Sequence, residues 1–166
     1  MIDLIRRLNW GIDKNATLRL LSRFQKVEES PTQNAIGLSG EVFGNSSFVV
    51  CYFKKKVFGK DSLVRVNVLM PVERPSDQRS KELFTSLRSD LSQFLNRTPH
   101  DVGGTQNAPP EFRVSKMSVW RKDDTVITLT LSLVSDTLDI SSPPIAIGIG
   151  YVKDDPISHQ WDFLEP

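Results

Sequence analysis

Apolar and polar residues alternate with a helical period between Ser76 and Asn96. Ser76 or Asp77 can cap the N-terminus of this helix, and Pro75 and Pro99 frame it on either side. The apolar positions, which recur three and four residues apart, are Leu83, Phe84, Leu87, Leu91, Phe94 and Leu95. The other side of the helix is polar and includes Gln78, Arg79, Lys81, Glu82, Arg88 and Asp90. The pattern therefore predicts one amphipathic helix that covers a sheet.

The N-terminal residues show a weaker helical pattern that is broken at Trp10 and Gly11. Ile2, Leu4, Ile5 and Leu8 predict a short amphipathic helix before that break. Asp13 can cap a second short helix, whose apolar positions are Ala16, Leu18, Leu21 and Phe24. The polar stretch Glu28–Asn34 then predicts a loop.

The remaining pattern has a period of two, which is typical of strands that bury one face. The predicted strands are Ile36–Phe43, Phe48–Val57, Leu63–Met70, Phe112–Trp120, Val126–Val134 and Ile145–Val152. In Val126–Val134 the Thr and Ser residues alternate with Ile and Leu, so one face is polar. Thr98–Pro110 reads as a loop and Arg121–Asp124 as a turn. We expect Trp161 and Phe163, in the acidic tail, to pack against the body.

These elements predict a single α+β domain over residues 1–166. An antiparallel sheet of about six strands, with helices packed on one face and the order αβββ-αβββ, satisfies the pattern. The two halves share this order of elements but no matching residues, so any repeat is topological.

Composition narrows the class of protein. The chain has 166 residues, of which 39% are hydrophobic and 25% charged, as in an ordinary soluble domain. Its apolar runs are much shorter than the roughly 20 residues that span a bilayer, and its N-terminus does not resemble a secretory signal. The single cysteine, Cys51, cannot form an internal disulfide. We therefore expect a cytoplasmic protein without membrane partners.

Charge is unevenly distributed although the net charge is only +1. Residues 1–83 contain 14 Lys and Arg against 9 Asp and Glu, whereas residues 84–166 contain 7 against 11. A basic half and an acidic half would favour electrostatically guided contacts with another protein. The alternative is that the two halves interleave in space and their fields cancel.

No motif of catalytic or metal-binding spacing is present. Cys51 lies inside an apolar strand, where a thiol is usually a buried structural residue. His100 and His159 lack a second ligand at metal spacing, although Asp101 could orient the His100 imidazole. The sequence thus predicts no catalytic residue, metal or cofactor.

Glycine pairs and charge clusters have structural explanations as well as functional ones. Gly103-Gly104 and Gly148-Ile149-Gly150 precede no helix, so they do not fit a phosphate loop, and the second pair predicts close packing on its strand. Lys54-Lys55-Lys56, Lys60 and Arg65 lie near aromatic residues and could bind single-stranded nucleic acid. The nearly neutral net charge argues against this interpretation.

Two stretches are similar to bacterial immunity proteins encoded beside polymorphic toxins. Pro109-Pro110-Glu111-Phe112 and Val119–Leu129 resemble a pattern in which a proline-rich loop leads to a strand ending in Trp-Arg, an acidic turn and a Thr/Leu-alternating strand. The opening Leu4–Trp10 is also similar to starts seen in these proteins. The resemblance implies a non-enzymatic protein that neutralises a cognate toxin by binding it.

The acidic second half adds a hypothesis about the contact surface, since it would complement a basic, nuclease-type toxin. The expected partner-binding residues are Asp123, Asp124, Asp136, Asp139, Asp154 and Asp155. One alternative is a secretion chaperone for an effector protein, a class that is usually acidic and dimeric. Another is an enzyme with a site assembled from His100, Asp101 and distant residues.

Overall fold

A computed structural model describes residues 10–30, 34–55, 60–70, 77–103, 114–132, 145–161 and 164. Its main feature is one antiparallel sheet of eight strands in the order β1-β2-β3-β4-β8-β7-β6-β5. The strands are β1 (Gln25–Ser30), β2 (Ala35–Val42), β3 (Asn45–Lys54), β4 (Ser62–Met70), β5 (His100–Gly103), β6 (Val114–Lys122), β7 (Thr125–Ser132) and β8 (Ile145–Tyr151). The described helices are α1 (Lys14–Leu20), α2 (Asp77–Leu95) and α3 (Pro156–His159).

The strand order contains two meanders that join at the middle of the sheet. Strands β1 to β4 form the first meander and β5 to β8 the second, and β4 pairs with β8 from Arg65↔Gly150 to Met70↔Ile145. The order of the described elements is therefore αββββ-αββββ-α, which corrects the predicted αβββ-αβββ. The α+β class and the antiparallel sheet are confirmed.

The two strands that the sequence did not predict form the two edges of the sheet. The predicted loop Glu28–Asn34 is wrong for residues 28–30, which complete β1, while residues 31–33 lie outside the described residues. The predicted loop Thr98–Pro110 is wrong for β5, which pairs with β6. An edge strand has a partner on one side only and is often polar or short, so it lacks the strong alternation of a central strand. This explains why neither strand was recognised.

Helix α2 confirms the predicted extent to within one residue at each end, and its buried face, while Ser76, one of the two predicted caps, lies outside the described residues. It runs from Asp77 to Leu95, and its inward side chains Phe84, Leu87, Leu91 and Leu95 are buried. At its C-terminus Asn96 adopts a left-handed conformation, with φ 51°. The Arg97 N–H donates to the Ser92 carbonyl at 3.1 Å and the Asn96 N–H to the Gln93 carbonyl at 3.3 Å. These two bonds are those of a Schellman motif, which ends the helix.

The main hydrophobic core lies between α1, α2 and one face of the sheet. Alternate residues of the central strands supply it, as the period of two requires. Its fully buried sheet residues include Val49, Cys51, Val66, Val68, Met70, Leu129, Leu131, Ile145, Ile147 and Ile149. Since both helices cover the same face, they hold the two meanders against a common core.

The N-terminal residues confirm the predicted cap. The Asp13 carboxylate accepts a hydrogen bond from the Ala16 N–H at 2.8 Å, at the start of α1. Just before it, Trp10 stacks on Tyr151 with ring centroids 5.8 Å apart, and its indole N–H donates to Thr125 at 2.8 Å. The first part of the chain is thereby tied to the second meander. The helix predicted over residues 2–8 lies outside the described residues.

The opposite side of the sheet, which we call the second face, carries a smaller cluster. Trp161 packs there with Val119, Val126 and Val152, and it is buried as predicted, whereas Phe163 lies outside the described residues. Residues 152–161, the C-terminal segment, include the single turn α3. A Cβ on Gly150 would lie 2.1 Å from Ser158 Oγ, so α3 packs on this glycine. The prediction that all helices lie on one face is corrected by α3.

Candidate functional site

The sheet brings the two acidic pairs of the second half to one end. Asp123 and Asp124 form the turn between β6 and β7, and Asp154 and Asp155 follow β8. The Val152 N–H donates to the Asp124 carbonyl at 2.9 Å, which joins the two connections. We call these four residues the acidic end. Asp136 and Asp139 lie outside the described residues.

Three residues of the acidic end are accessible and two of these form surface ion pairs. Asp123 is exposed in a left-handed conformation with φ 53°, which fixes the turn. Lys153 Nζ lies 3.0 Å from Asp124, and this hydrogen bond raises the pKa of Lys153. Asp154 pairs with Lys54 of β3. Such exposed ion pairs stabilise a fold by at most about 1 kcal/mol, so a partner can exchange them at little cost.

Asp155 differs from the other three because it is buried. Only 5% of its side chain is exposed, and Arg65 Nη1 lies 3.3 Å from its Oδ2. The carboxylate also caps α3 by accepting the Ile157 N–H at 3.3 Å, and it accepts the Ser158 hydroxyl at 2.7 Å. Asp155 therefore docks the C-terminal segment onto the sheet.

Three of the five basic residues considered for nucleic-acid binding form separate ion pairs, and Lys56 lies outside the described residues. Lys54 pairs with Asp154, Arg65 with Asp155, and Lys60 lies 2.9 Å from Asp13. The first two pairs connect a cation of the first half with an anion of the second. At these points the basic and acidic halves interleave, which reduces the field that the sequence alone suggests.

The structure places His100 and Asp101 on opposite sides of the sheet. They are consecutive in β5 and pair with Val119 and Ser118 of β6, respectively. Successive side chains of a strand point to opposite faces, so Asp101 does not orient the His100 imidazole. The predicted possibility that Asp101 orients the His100 imidazole is therefore wrong.

Asp101 instead belongs to a polar cluster that the sequence analysis missed. Arg88 of α2 donates to Asp101 from Nη2 at 2.6 Å and to Ser118 from Nε at 3.2 Å. The buried Ser118 hydroxyl donates to Asp101 at 2.6 Å. This cluster connects α2 to the edge of the sheet. Because Arg88 stabilises the charged form of Asp101, the carboxylate is a weaker base toward the Ser118 hydroxyl.

The cluster makes a contribution to stability that depends on pH. The hydrogen bond from Arg88 lowers the pKa of Asp101 below its ordinary 3.8. A carboxyl whose folded pKa is depressed stabilises the fold above its unfolded pKa, and this stabilisation is lost as the pH falls through the folded pKa.

We expect Asp101→Asn to be destabilised at neutral pH and to lose less stability than the parent between about pH 4 and pH 2. Urea unfolding of both proteins across this range measures the difference. Asp90→Asn, on the exposed side of α2, is the charge-matched control, and equal pH dependence in the parent and Asp101→Asn would contradict the role of the cluster.

Cys51 has a structural role. Cys51 is completely buried, and burial raises the pKa of its thiol to about 12, so the reactive thiolate is absent at neutral pH. Among the described residues no three His, Cys, Asp or Glu side chains are grouped so that they could hold a metal ion. In the same part of the chain, no helix combines the length and the apolar character needed to cross a bilayer.

The sequence analysis did not recognise that Asp155 attaches the C-terminal segment to the sheet, although part of this contact is indicated by the sequence. Gly150 shares the parity of Gly148 on β8, which predicted close packing, and Asp155-Pro156 is a typical start of a helix. The partner of Asp155 had no such signal, because Arg65 is 90 residues away and meets it only through the β4–β8 pairing.

Comparison with known proteins adds no relative: no protein-family model, curated protein or solved structure matches the chain.

Proposed function

We propose that the chain is a non-enzymatic protein-binding module, an immunity protein that neutralises a cognate bacterial toxin by direct binding. The observation that supports this proposal best is the grouping of Asp123, Asp124 and Asp154 at one end of the sheet. The hairpin that carries the first two, β6 and β7, coincides with the stretch that resembles immunity proteins.

The acidic end suits the recognition of a basic surface. Asp123 is exposed in the turn between β6 and β7, where a partner can reach its carboxylate. Asp124 and Asp154 each contact a lysine on the surface, and an incoming arginine can replace that lysine with a bidentate pair. Asp155 serves this surface indirectly, because it fixes the segment that carries Asp154.

The first experiment is to purify the tagged protein from its host and to identify co-purifying proteins by mass spectrometry. Immunity predicts one stoichiometric partner with a toxin domain, whose activity the purified chain inhibits. If no partner with such a domain is recovered, or if the recovered toxin remains fully active in the complex, the proposal is wrong.

The contact surface is tested with the recovered toxin. We expect Asp123→Asn combined with Asp124→Asn to weaken binding by about tenfold or more, because charge-assisted hydrogen bonds across the interface are lost. Asparagine tolerates the left-handed conformation of residue 123, so the turn is preserved. Glu82→Gln combined with Asp90→Asn, at two exposed positions of α2, removes the same charge and is the matched control, and calorimetry measures the affinities. Equal affinity of the double variant and the parent would exclude this end as the interface.

A secretion chaperone is the second candidate, and the second face of the sheet favours it. Phe48, Val50 and Tyr52 of β3 and Leu69 of β4 lie there, and each is partly exposed. A partly apolar sheet face can bind an extended apolar segment of an effector. Recovery of a secretion effector, together with a dimer in light scattering, would favour the chaperone over the immunity protein.

A further inference from the structure

An aromatic pair lies beside the acidic end, on the core side of the sheet. Trp10 stacks on Tyr151 with ring centroids 5.8 Å apart and an angle of 17° between the ring planes. The Trp10 indole N–H donates to the Thr125 hydroxyl at 2.8 Å. Thr125 directly follows Asp124 in the chain and pairs with Tyr151 across β7 and β8. Both aromatic side chains are partly exposed, so the pair adjoins a carboxylate of the acidic end at the surface.

The backbone that follows Trp10 holds this residue in place. The Gly11 N–H donates to the Leu63 carbonyl at 3.2 Å, and the Leu63 N–H donates to the Ile12 carbonyl at 2.9 Å. Gly11 has a φ of 86°, which favours glycine and lets the chain turn toward β4 at this point. Trp10 is thus attached to β7 through its side chain and to β4 through the next two residues. The position of its ring is determined by contacts within the chain.

A cation of the chain itself is already bound beside this aromatic pair. Lys153 Nζ lies 3.0 Å from Asp124, and 64% of the Lys153 side chain is exposed. The hydrogen bond to Asp124 raises the pKa of Lys153, and Tyr151 adds a smaller electrostatic contribution in the same direction. A positive charge is therefore favoured near both the carboxylate and the aromatic residue. Because the ion pair is exposed, another cation can replace this lysine at little cost.

We propose that Trp10 and Tyr151 bind an arginine side chain of the protein partner, whose guanidinium contacts the exposed part of the rings and pairs with Asp124 in place of Lys153. This inference rests on the proposed function and specifies the side chain that the toxin presents. Arginine is favoured over lysine because its planar guanidinium stacks on aromatic rings and pairs with a carboxylate through two hydrogen bonds. Trp and Tyr are also among the residues that most often dominate the affinity of an interface.

The first test needs no toxin and is a titration of the full chain with N-acetylarginine amide, followed by ¹H–¹⁵N NMR. The chain has three tryptophans, and the Trp10 indole signal is assigned from its loss in Trp10→Phe. We expect a saturable shift of this signal that exceeds the shift at Trp120, which is only 1% exposed. N-acetyllysine amide is the control and should cause a smaller shift. A Trp10 signal that does not move, or that moves equally with the lysine compound, overturns the proposal.

The second test uses the recovered toxin and the two tyrosines of the chain. We expect Tyr151→Leu to weaken toxin binding by about tenfold, because the aromatic contact with the arginine is lost. Tyr52→Leu is the matched control, since Tyr52 is also partly exposed but lies on the second face. Circular dichroism verifies that both variants are folded.

The two tests separate this inference from the proposed function. If the parent neutralises the toxin and Tyr151→Leu binds it as tightly as Tyr52→Leu does, the arginine site is excluded and the immunity function stands. If the arginine compound binds at Trp10 but no toxin is recovered, the site is supported and the immunity function fails.

Discussion

Leu91→Ala is expected to lower the free energy of unfolding by about 3 kcal/mol, which is typical of a large-to-small change in a core. Leu91 is completely buried on the inward side of α2, within the core that both meanders share. Alanine removes apolar contacts and leaves a space that neighbouring elements of a continuous sheet cannot readily fill. Urea unfolding monitored by circular dichroism measures the change.

Ser89→Ala is the control for Leu91→Ala. Ser89 lies on the exposed side of the same helix, two residues away, so its replacement changes helix propensity but not the core. We expect a change within about 0.5 kcal/mol. If Leu91→Ala behaved like Ser89→Ala, α2 would not be packed on the sheet as described.

Asp155→Asn is expected to have an effect of similar size, about 3 kcal/mol, because it leaves a mostly buried guanidinium without its counterion. Only 16% of the Arg65 side chain is exposed, and its other described hydrogen bond is donated to Asn67. The variant also weakens the cap of α3. We therefore expect the C-terminal segment to separate from the second face before the sheet unfolds.

Asp154→Asn provides a closely matched control, since it removes the same charge one residue earlier. Its ion pair with Lys54 is on the surface, so a change below about 1 kcal/mol is expected. Hydrogen exchange of the Trp161 amide, which donates to Ser158, reports on release of the segment. Equal exchange rates in both variants would show that Asp155 does not anchor it.

The central elements of the fold could be predicted because their sequences repeat a single period. In β7 the residues Ile127, Leu129 and Leu131 are buried and the intervening Thr128 and Thr130 are only partly so, as the alternation indicated. The boundaries of α2 were also correct to within one residue. In both cases the burial of one face determines the residue pattern, so the pattern reveals the element.

The edges and the ion pairs could not be predicted, for two physical reasons. Strand β1 reads Gln-Lys-Val-Glu-Glu-Ser, and its pairing is determined by β2 rather than by its own alternation. The ion pairs form between residues that are distant in sequence, such as Lys54 and Asp154, so their partners depend on strand order. The sequence identified the acidic residues. It could not separate the accessible Asp154 from the buried Asp155, since that difference arises from the tertiary packing of α3 on Gly150.

The pairing of β4 with β8 has a consequence for how the chain folds. Every other strand pairing joins neighbours along the chain, whereas Arg65 and Gly150 are separated by 85 residues. Hairpins can form rapidly within each meander, but joining the meanders requires the closure of a long loop, whose entropic cost is met only when the common core forms. We therefore expect the joining of the two halves to limit the rate of folding, and their unpaired strands to be exposed to aggregation until it occurs.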